Sequence, residues 1–254
     1  MLPAQNECIM KKSFMSKKHK KHVIKGMFSG ISPNYDLVNS LTSLFLDHYW
    51  RIKTVDQLDI APEALVLDLC AGTLPLARTL LSRKRARVIC VDISLEMLAQ
   101  GMQKIKGNSK ARIRPVAADA EFLPFHDEMF DAAMVAFGIR NLTALDKGLA
   151  ELFRVVRTRG KVAVLEFSRP NLPVFAQIYH LYLKRVLVPI GGALTGDRSA
   201  YEYLVDSIYQ FYDPAQVIKL MEEAGFCNVK CRALTGGCVT LYYGQKTPKP
   251  GRKG

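Results

Sequence analysis

An apolar run ending in a small-residue turn, Ala64-Leu65-Val66-Leu67-Asp68-Leu69-Cys70-Ala71-Gly72-Thr73, is followed twenty residues after Gly72 by a second acid in Val88-Ile89-Cys90-Val91-Asp92-Ile93-Ser94. Strand, tight turn, helix and second strand in this order are how a parallel α/β sheet opens. The turn brings backbone N–H groups close to a ligand, and an acid ending the next strand can hold two ribose hydroxyls. The geometry suits an adenosine-containing cofactor. The turn lacks the Gly-x-Gly-x-x-Gly spacing of a dinucleotide site, which makes NAD and FAD the weaker readings.

Short apolar runs at 64–70, 87–92, 111–116, 130–136 and 161–167 read as strands, with helices expected at 75–83, 94–106 and 144–156. Pro75 suits a first helical turn, where its missing N–H costs nothing. Ser94 is a good N-cap for a helix whose buried stripe is Leu95, Leu98, Met102 and Ile105. This alternation predicts a Rossmann-like α/β fold with helices on both faces of a parallel sheet. The final third changes character: residues 172–190 are mostly apolar and aromatic, and Gly191-Gly192 reads as a break. Helices are expected at 199–211 and 214–224, the latter stopped by Gly225, and two last strands at 226–233 and 238–244 bring the sheet to seven. The expected organisation is a basic arm over 1–26, one domain over 27–246 with a helical insertion at 172–211, and a basic tail over 247–254.

The 254 residues suffice for one α/β domain with a sizeable core. No run approaches eighteen uninterrupted apolar residues, and the basic N-terminus lacks the apolar stretch of a secretory signal, so a cytoplasmic protein is expected. The six cysteines show no paired zinc spacing and read as reduced, with no metal expected. The net charge of +13 is concentrated at the ends: seven lysines against Glu7 in residues 1–26, then Lys246, Lys249, Arg252 and Lys253. Such ends attract phosphates of an anionic membrane surface or of nucleic acid, or they are simply solvated.

Several further segments carry a specific resemblance. They are residues 27–39 (Met-Phe-Ser-Gly-Ile-Ser-Pro-Asn-Tyr-Asp-Leu-Val-Asn), 118–125 (Ala-Asp-Ala-Glu-Phe-Leu-Pro-Phe), 137–143 (Phe-Gly-Ile-Arg-Asn-Leu-Thr), 164–170 (Val-Leu-Glu-Phe-Ser-Arg-Pro), 199–208 and 234–237. In this order they resemble the ubiquinone/menaquinone biosynthesis C-methyltransferases, a family of class I S-adenosylmethionine (SAM)-dependent methyltransferases, over almost all of 27–246. The resemblance implies SAM as cofactor and a mostly parallel seven-stranded sheet. It places Asp68, Gly72 and Thr73 in the first SAM motif, Asp92 on the ribose, Asp119 and Ala120 at the adenine edge, and Ala136 beside the cofactor through its backbone. The chain departs from the family pattern where Gly-Thr-Gly-Asp becomes Gly72-Thr73-Leu74-Pro75: a small residue is bulky, and an acid able to pair with the SAM amino group is gone. Cys70 likewise stands for a glycine.

The acceptor implied by the resemblance is a prenylated hydroquinone, demethylmenaquinol by preference, methylated on a ring carbon. Arg140 is the first candidate to stabilise the phenolate, with Tyr35 and Asp36 to orient the ring or take its proton, and Tyr201 as a further candidate. In this frame the 172–190 segment offers an apolar channel for the tail, or a homodimer surface, and the lysine arm a peripheral hold on the inner face of a membrane. Two rivals stand. A nucleic-acid methyltransferase would use the charge, but the fourth strand ends in Ala136-Phe137-Gly138-Ile139-Arg140 and not in an Asn/Asp-Pro-Pro-Tyr/Phe grip. A non-catalytic binding protein on the same fold would explain Leu74-Pro75.

Overall fold

The computed structural model describes Gly26, Val38, Ser40, Leu41 and residues 43–247. Tyr35 and Asp36, the basic arm apart from Gly26, and the tail from residue 248 lie outside the described residues. Helix α1 (Leu46–Gln57) leads into β1 (Ala64–Leu69), α2 (Pro75–Arg83), β2 (Ala86–Asp92), α3 (Leu95–Lys104), β3 (Ile113–Ala117) and β4 (Phe130–Ala136). Then follow α4 (Leu145–Val155), β5 (Val156–Phe167), α5 (Pro173–Tyr182), a π-helical turn (Leu183–Leu187), α6 (Val188–Thr195) and α7 (Arg198–Gln210). Helix α8 (Pro214–Glu223) and strands β6 (Phe226–Leu234) and β7 (Val239–Lys246) complete the described chain.

The strands form one seven-stranded sheet in the order β3-β2-β1-β4-β5-β7-β6, parallel except where β7 pairs antiparallel with β5 and β6. This is the expected architecture. Neighbouring strand residues point to opposite faces, so a continuous apolar run serves two cores at once. Val66, Val88, Met134 and Leu165 pack with Trp50 of α1, Leu76 and Leu80 of α2 and Leu98 of α3. Leu67, Val135 and Val164 pack on the other face with Leu149 and Leu152 of α4 and Val217 and Met221 of α8. Each such aliphatic side chain contributes about 1.5–3 kcal/mol by leaving water. The order reverses at β1, and in an open α/β sheet the crevice at that switch point is where ligands bind.

Three expectations are corrected. Leu95 of the stripe expected on α3 is 60% exposed, as the first residue of that helix, while Leu98 and Ile105 are buried. Strand β5 starts at Val156, not at 161, because Val156 pairs with Phe130 across a bulge that takes in Arg157-Thr158-Arg159-Gly160. A side chain at Gly160 would meet the Asp131 carbonyl at 2.9 Å, so the bulge needs glycine there. Gly191-Gly192 does not break the helix, which continues to Thr195 and stops at Gly196 in the left-handed region. A Cβ on Gly191 would lie 2.5 Å from the Tyr201 ring, so glycine here admits α7 against α6. Upstream, Val188 donates its N–H to the Leu183 carbonyl, five residues back, and Pro189 follows with no N–H to give. Tyr179, Leu183 and Leu187 join Ala200, Tyr201, Val205 and Ile208 in a separate small core over the C-terminal end of the sheet.

Candidate active site

The turn after β1 is shaped by backbone conformation. Cys70, Gly72 and Leu74 all have positive φ (56°, 52° and 62°), so the chain keeps a left-handed conformation at every second residue although only Gly72 is a glycine. Left-handed backbone costs a side-chain-bearing residue about 1–2 kcal/mol, which packing must offset. Leu74 meets that requirement: it is 0% exposed, and a Cβ on Gly101 of α3 would fall 2.5 Å from its Cγ. The bulk that departs from the family pattern is accommodated by a glycine 27 residues away, and Leu74 does not line the ligand crevice.

A cavity of about 120 Å³ opens at the C-terminal ends of β1, β2 and β4, and every residue expected at the cofactor lines it: Asp68, Gly72, Thr73, Asp92, Asp119, Ala120 and Ala136. Asp92 is tied down through both oxygens, accepting the Gly72 N–H at 2.8 Å and the Ser94 N–H at 2.9 Å. Burial pushes its carboxyl above the usual range, while the N–H groups of Ser94, Gly72 and Ile93 pull it back. A carboxylate oxygen can accept more than one hydrogen bond, so Asp92 keeps acceptor capacity for a diol. Asp119 accepts the Glu121 N–H at 3.0 Å and so shapes the turn after β3. Glu121 in turn gathers the Thr143 N–H and hydroxyl and the Ala144 N–H at 2.6–3.0 Å, capping the entry to α4.

Asp68 accepts the Ala77 N–H at 3.1 Å through Oδ2, and its buried Oδ1 has no hydrogen-bond partner among the described residues. Burial raises its pKa to about 8, with the nearby Asp92 charge adding to the shift and Ala77 and Arg51 opposing it. Arg51, on α1, has a buried guanidinium paired with Asp47, and its Nε likewise lacks a partner among the described residues. It escaped the sequence reading because its position four residues after Asp47 reads as an ordinary helical ion pair. Four carboxyl groups (Asp68, Asp92, Asp119, Glu121) and one guanidinium line this cavity, which fits a ligand of net positive charge.

A second cavity of about 280 Å³ lies alongside, and Phe137 and Arg51 line both. Phe137 has φ of 59° and sits in an aromatic group, 4.4 Å from Phe167 and 6.0 Å from Trp50 between ring centroids. The rest of the wall is mostly apolar, supplied by α1, α5, the π turn and α7, and it brings Arg140 and Tyr201 together. Arg140 donates through Nη1 to Glu166 Oε1 at 2.8 Å and through its backbone N–H to Oε2 at 3.1 Å. Its guanidinium also lies 5.3 Å from the Phe167 ring centre, and Nε reaches Ser207 Oγ at 3.3 Å. Glu166 and Ser207 stand inside the 164–170 and 199–208 segments, and only the fold sets them around Arg140. Tyr179 was also missed: its hydroxyl is buried at this wall with no hydrogen-bond partner among the described residues, and burial raises its pKa, which keeps it a donor.

A doubly wound sheet with an acid-lined crevice at its switch point, beside an apolar chamber, is the architecture of a class I SAM-dependent methyltransferase. The chain belongs to the ubiE/COQ5 methyltransferase family, whose model matches residues 15–246. It is 42% identical over 226 residues to the ubiquinone/menaquinone biosynthesis C-methyltransferase UbiE of Citrifermentans bemidjiense, covering 88% of this chain and 96% of the relative. It is 39% identical over 227 residues to the demethylmenaquinone methyltransferase of Mycobacterium marinum, covering 89% and 94%. Solved structures share the fold at low identity. Haemonchus contortus phosphoethanolamine N-methyltransferase 2, in complex with S-adenosylhomocysteine, superposes with a TM-score of 0.59 at 14% identity, covering 78% of this chain and 52% of that one. A SAM-dependent methyltransferase from Aquifex aeolicus gives 0.55 at 16%, covering 82% and 96%.

Proposed function

We infer that this chain transfers a methyl group from SAM to a ring carbon of a prenylated hydroquinone in quinone biosynthesis, with demethylmenaquinol as the preferred acceptor. The observation that carries the reading is the pair of cavities, one acidic and one apolar, sharing Phe137 and Arg51 as a common wall. When bound, SAM supplies an electrophilic methyl on a positively charged sulfur and leaves as S-adenosylhomocysteine.

Residues of the smaller cavity fit each part of that cofactor. Asp92 offers acceptors for the ribose hydroxyls, the turn after β3 at Asp119 and Ala120 meets the adenine, and Ala136 contributes its backbone. The partnerless Asp68 Oδ1 and Arg51 Nε have opposite character, acceptor and donor, and so match an ammonium and a carboxylate. They take over the amino-acid end of SAM that the family's missing acid would otherwise hold.

In the larger cavity the quinol ring is held against Phe137 and Phe167, with its tail along α5 and α7. Arg140 stabilises the oxyanion of the ring, and Glu166, by fixing the guanidinium from behind, positions it. Tyr201 and the Tyr179 hydroxyl orient the ring oxygens, and Tyr35 and Asp36 are assigned the roles of orienting the ring or taking the proton that the methylated carbon loses. Closing the chamber excludes water, so orientation carries most of the rate enhancement. The protein works in the cytoplasm, peripherally bound to a membrane, with the lysine arm adding electrostatic attraction and a homodimer as its assembly.

The test is transfer of labelled methyl from SAM to demethylmenaquinol and to the ubiquinone precursor in parallel. Activity is expected on the first, with Asp92→Ala losing cofactor affinity and Arg140→Ala losing turnover. Label in neither quinol overturns the reading, and full activity in both variants overturns the site.

A further inference from the structure

The helical segment Pro173–Thr195 also has an outward face, most of which lies outside the acceptor chamber. Val174, Ile178, Leu181, Val186, Ile190 and Leu194 are all exposed, by 38–72%. Their spacings are 4, 3, 5, 4 and 4 residues. The spacing of five falls across the π turn Leu183–Leu187, whose wider turn brings Val186 into line; a regular helix would put Arg185 there. The π turn thus keeps one apolar stripe continuous from α5 into α6. Residues 172–196 contain no Asp or Glu, and Lys184 and Arg185 stand exposed beside the stripe.

The stripe also reaches the mouth of the acceptor chamber. Ile178, 58% exposed, lines that chamber as well, and so does Leu44, 72% exposed, from just before α1. Ile178 and Leu44 are thus apolar residues that belong at once to the chamber wall and to the exposed surface. Among the described residues no helix is long and apolar enough to cross a membrane.

We propose that the outward face of α5–α6 is a membrane-docking surface that lies in the headgroup region of an anionic leaflet and holds the chamber mouth against it. An apolar stripe flanked by cations and free of acids is the pattern of an interfacial helix, with Lys184 and Arg185 reaching lipid phosphates. The proposal rests on the prenylated-quinol reading: a lipid acceptor passes from the leaflet past Ile178 into the chamber without its tail crossing water.

The experiment uses the full chain and cosedimentation with phosphatidylcholine vesicles with and without phosphatidylglycerol. The variant V174Q/L181Q/I190Q/L194Q changes exposed residues that do not line the chamber, and the milder L181Q/I190Q guards against misfolding. Vesicle binding is expected to fall by about tenfold or more in the first and by a smaller factor in the second. K184Q/R185Q is expected to lower binding only to the anionic vesicles. Turnover of a single-isoprene quinol in buffer should remain at the wild-type level, while turnover of a long-tailed quinol embedded in vesicles falls with binding. Unchanged vesicle binding in both apolar variants overturns the proposal, as does a shift from dimer to monomer with lipid binding intact, which would make the face a contact between copies. Wild-type protein that binds vesicles but never methylates the short quinol would instead overturn the acceptor reading.

Discussion

Leu74 illustrates how a residue that looks wrong in the sequence is made right by a distant partner. Its side chain fills the space that Gly101 leaves on α3, so the turn keeps its shape and the crevice stays open. Gly101→Ala would place a Cβ within 2.8 Å of Leu74 and of the Thr73 backbone. It is expected to cost about 1–3 kcal/mol of stability in urea unfolding, as overpacked sites do. It should also weaken binding of S-adenosylhomocysteine in calorimetry, since Thr73 must move. Arg51→Gln tests the cofactor's amino-acid end. Loss of one charge-assisted hydrogen bond, about 1.5–3 kcal/mol, predicts a KM for SAM raised by roughly tenfold or more, with a much smaller effect on kcat. An unchanged KM would remove Arg51 from the cofactor site.

At the scale of elements, the described helices divide by task. Helices α1 to α3 and the turns behind them build the crevice; α1 also lines the chamber together with α5, the π turn and α7; α4 and α8 serve packing. Helix α8 starts with a complete capping box, in which Asp213 accepts the Gln216 N–H at 2.9 Å and the Gln216 side chain accepts the Asp213 N–H at 2.9 Å. Asp213→Ala is therefore expected to lower stability by about 1 kcal/mol and leave methyl transfer per folded molecule unchanged. A drop in kcat at constant fold would mean that α8 couples to the site. Most element positions were legible beforehand, because caps, apolar stripes and strand runs are local: 75–83 and 130–136 match helix α2 and strand β4 residue for residue. The misread elements were those with long-range causes. Gly191 stays helical because α7 presses Tyr201 against it, and β5 begins early because β4 offers Phe130 as a partner.

For the molecule as a whole, the buried acids predict a pH dependence. Asp68, with its pKa raised to about 8 from 3.8, is an acid the folded state prefers to keep protonated. Its ionisation costs stability as pH rises from its unfolded value through its folded one, and Asp92 shifts in the same direction. The paired carboxylates of Glu63, Glu128 and Glu151 are shifted downward, and their contribution is lost only in acid. Cofactor-free protein is therefore expected to melt at a higher temperature near pH 6 than near pH 9, because Asp68 ionises in between. Asp68→Asn, which still accepts the Ala77 N–H, should flatten that slope. A wild-type profile already flat between those values would show that Asp68 is ionised throughout.

The sequence by itself determined the alternation of strands and helices and so the sheet, since apolar period and turn chemistry are properties of short stretches of chain; the seven residues proposed for the cofactor follow from the family resemblance of those stretches. Tertiary structure alone decided which groups meet across them. It set Arg51 opposite Asp68, Glu166 behind Arg140, Gly101 under Leu74, and an acidic crevice against an apolar chamber at Phe137. Those pairings depend on how helices from distant parts of the chain close over one end of the sheet, and no local pattern encodes a contact between residues that far apart.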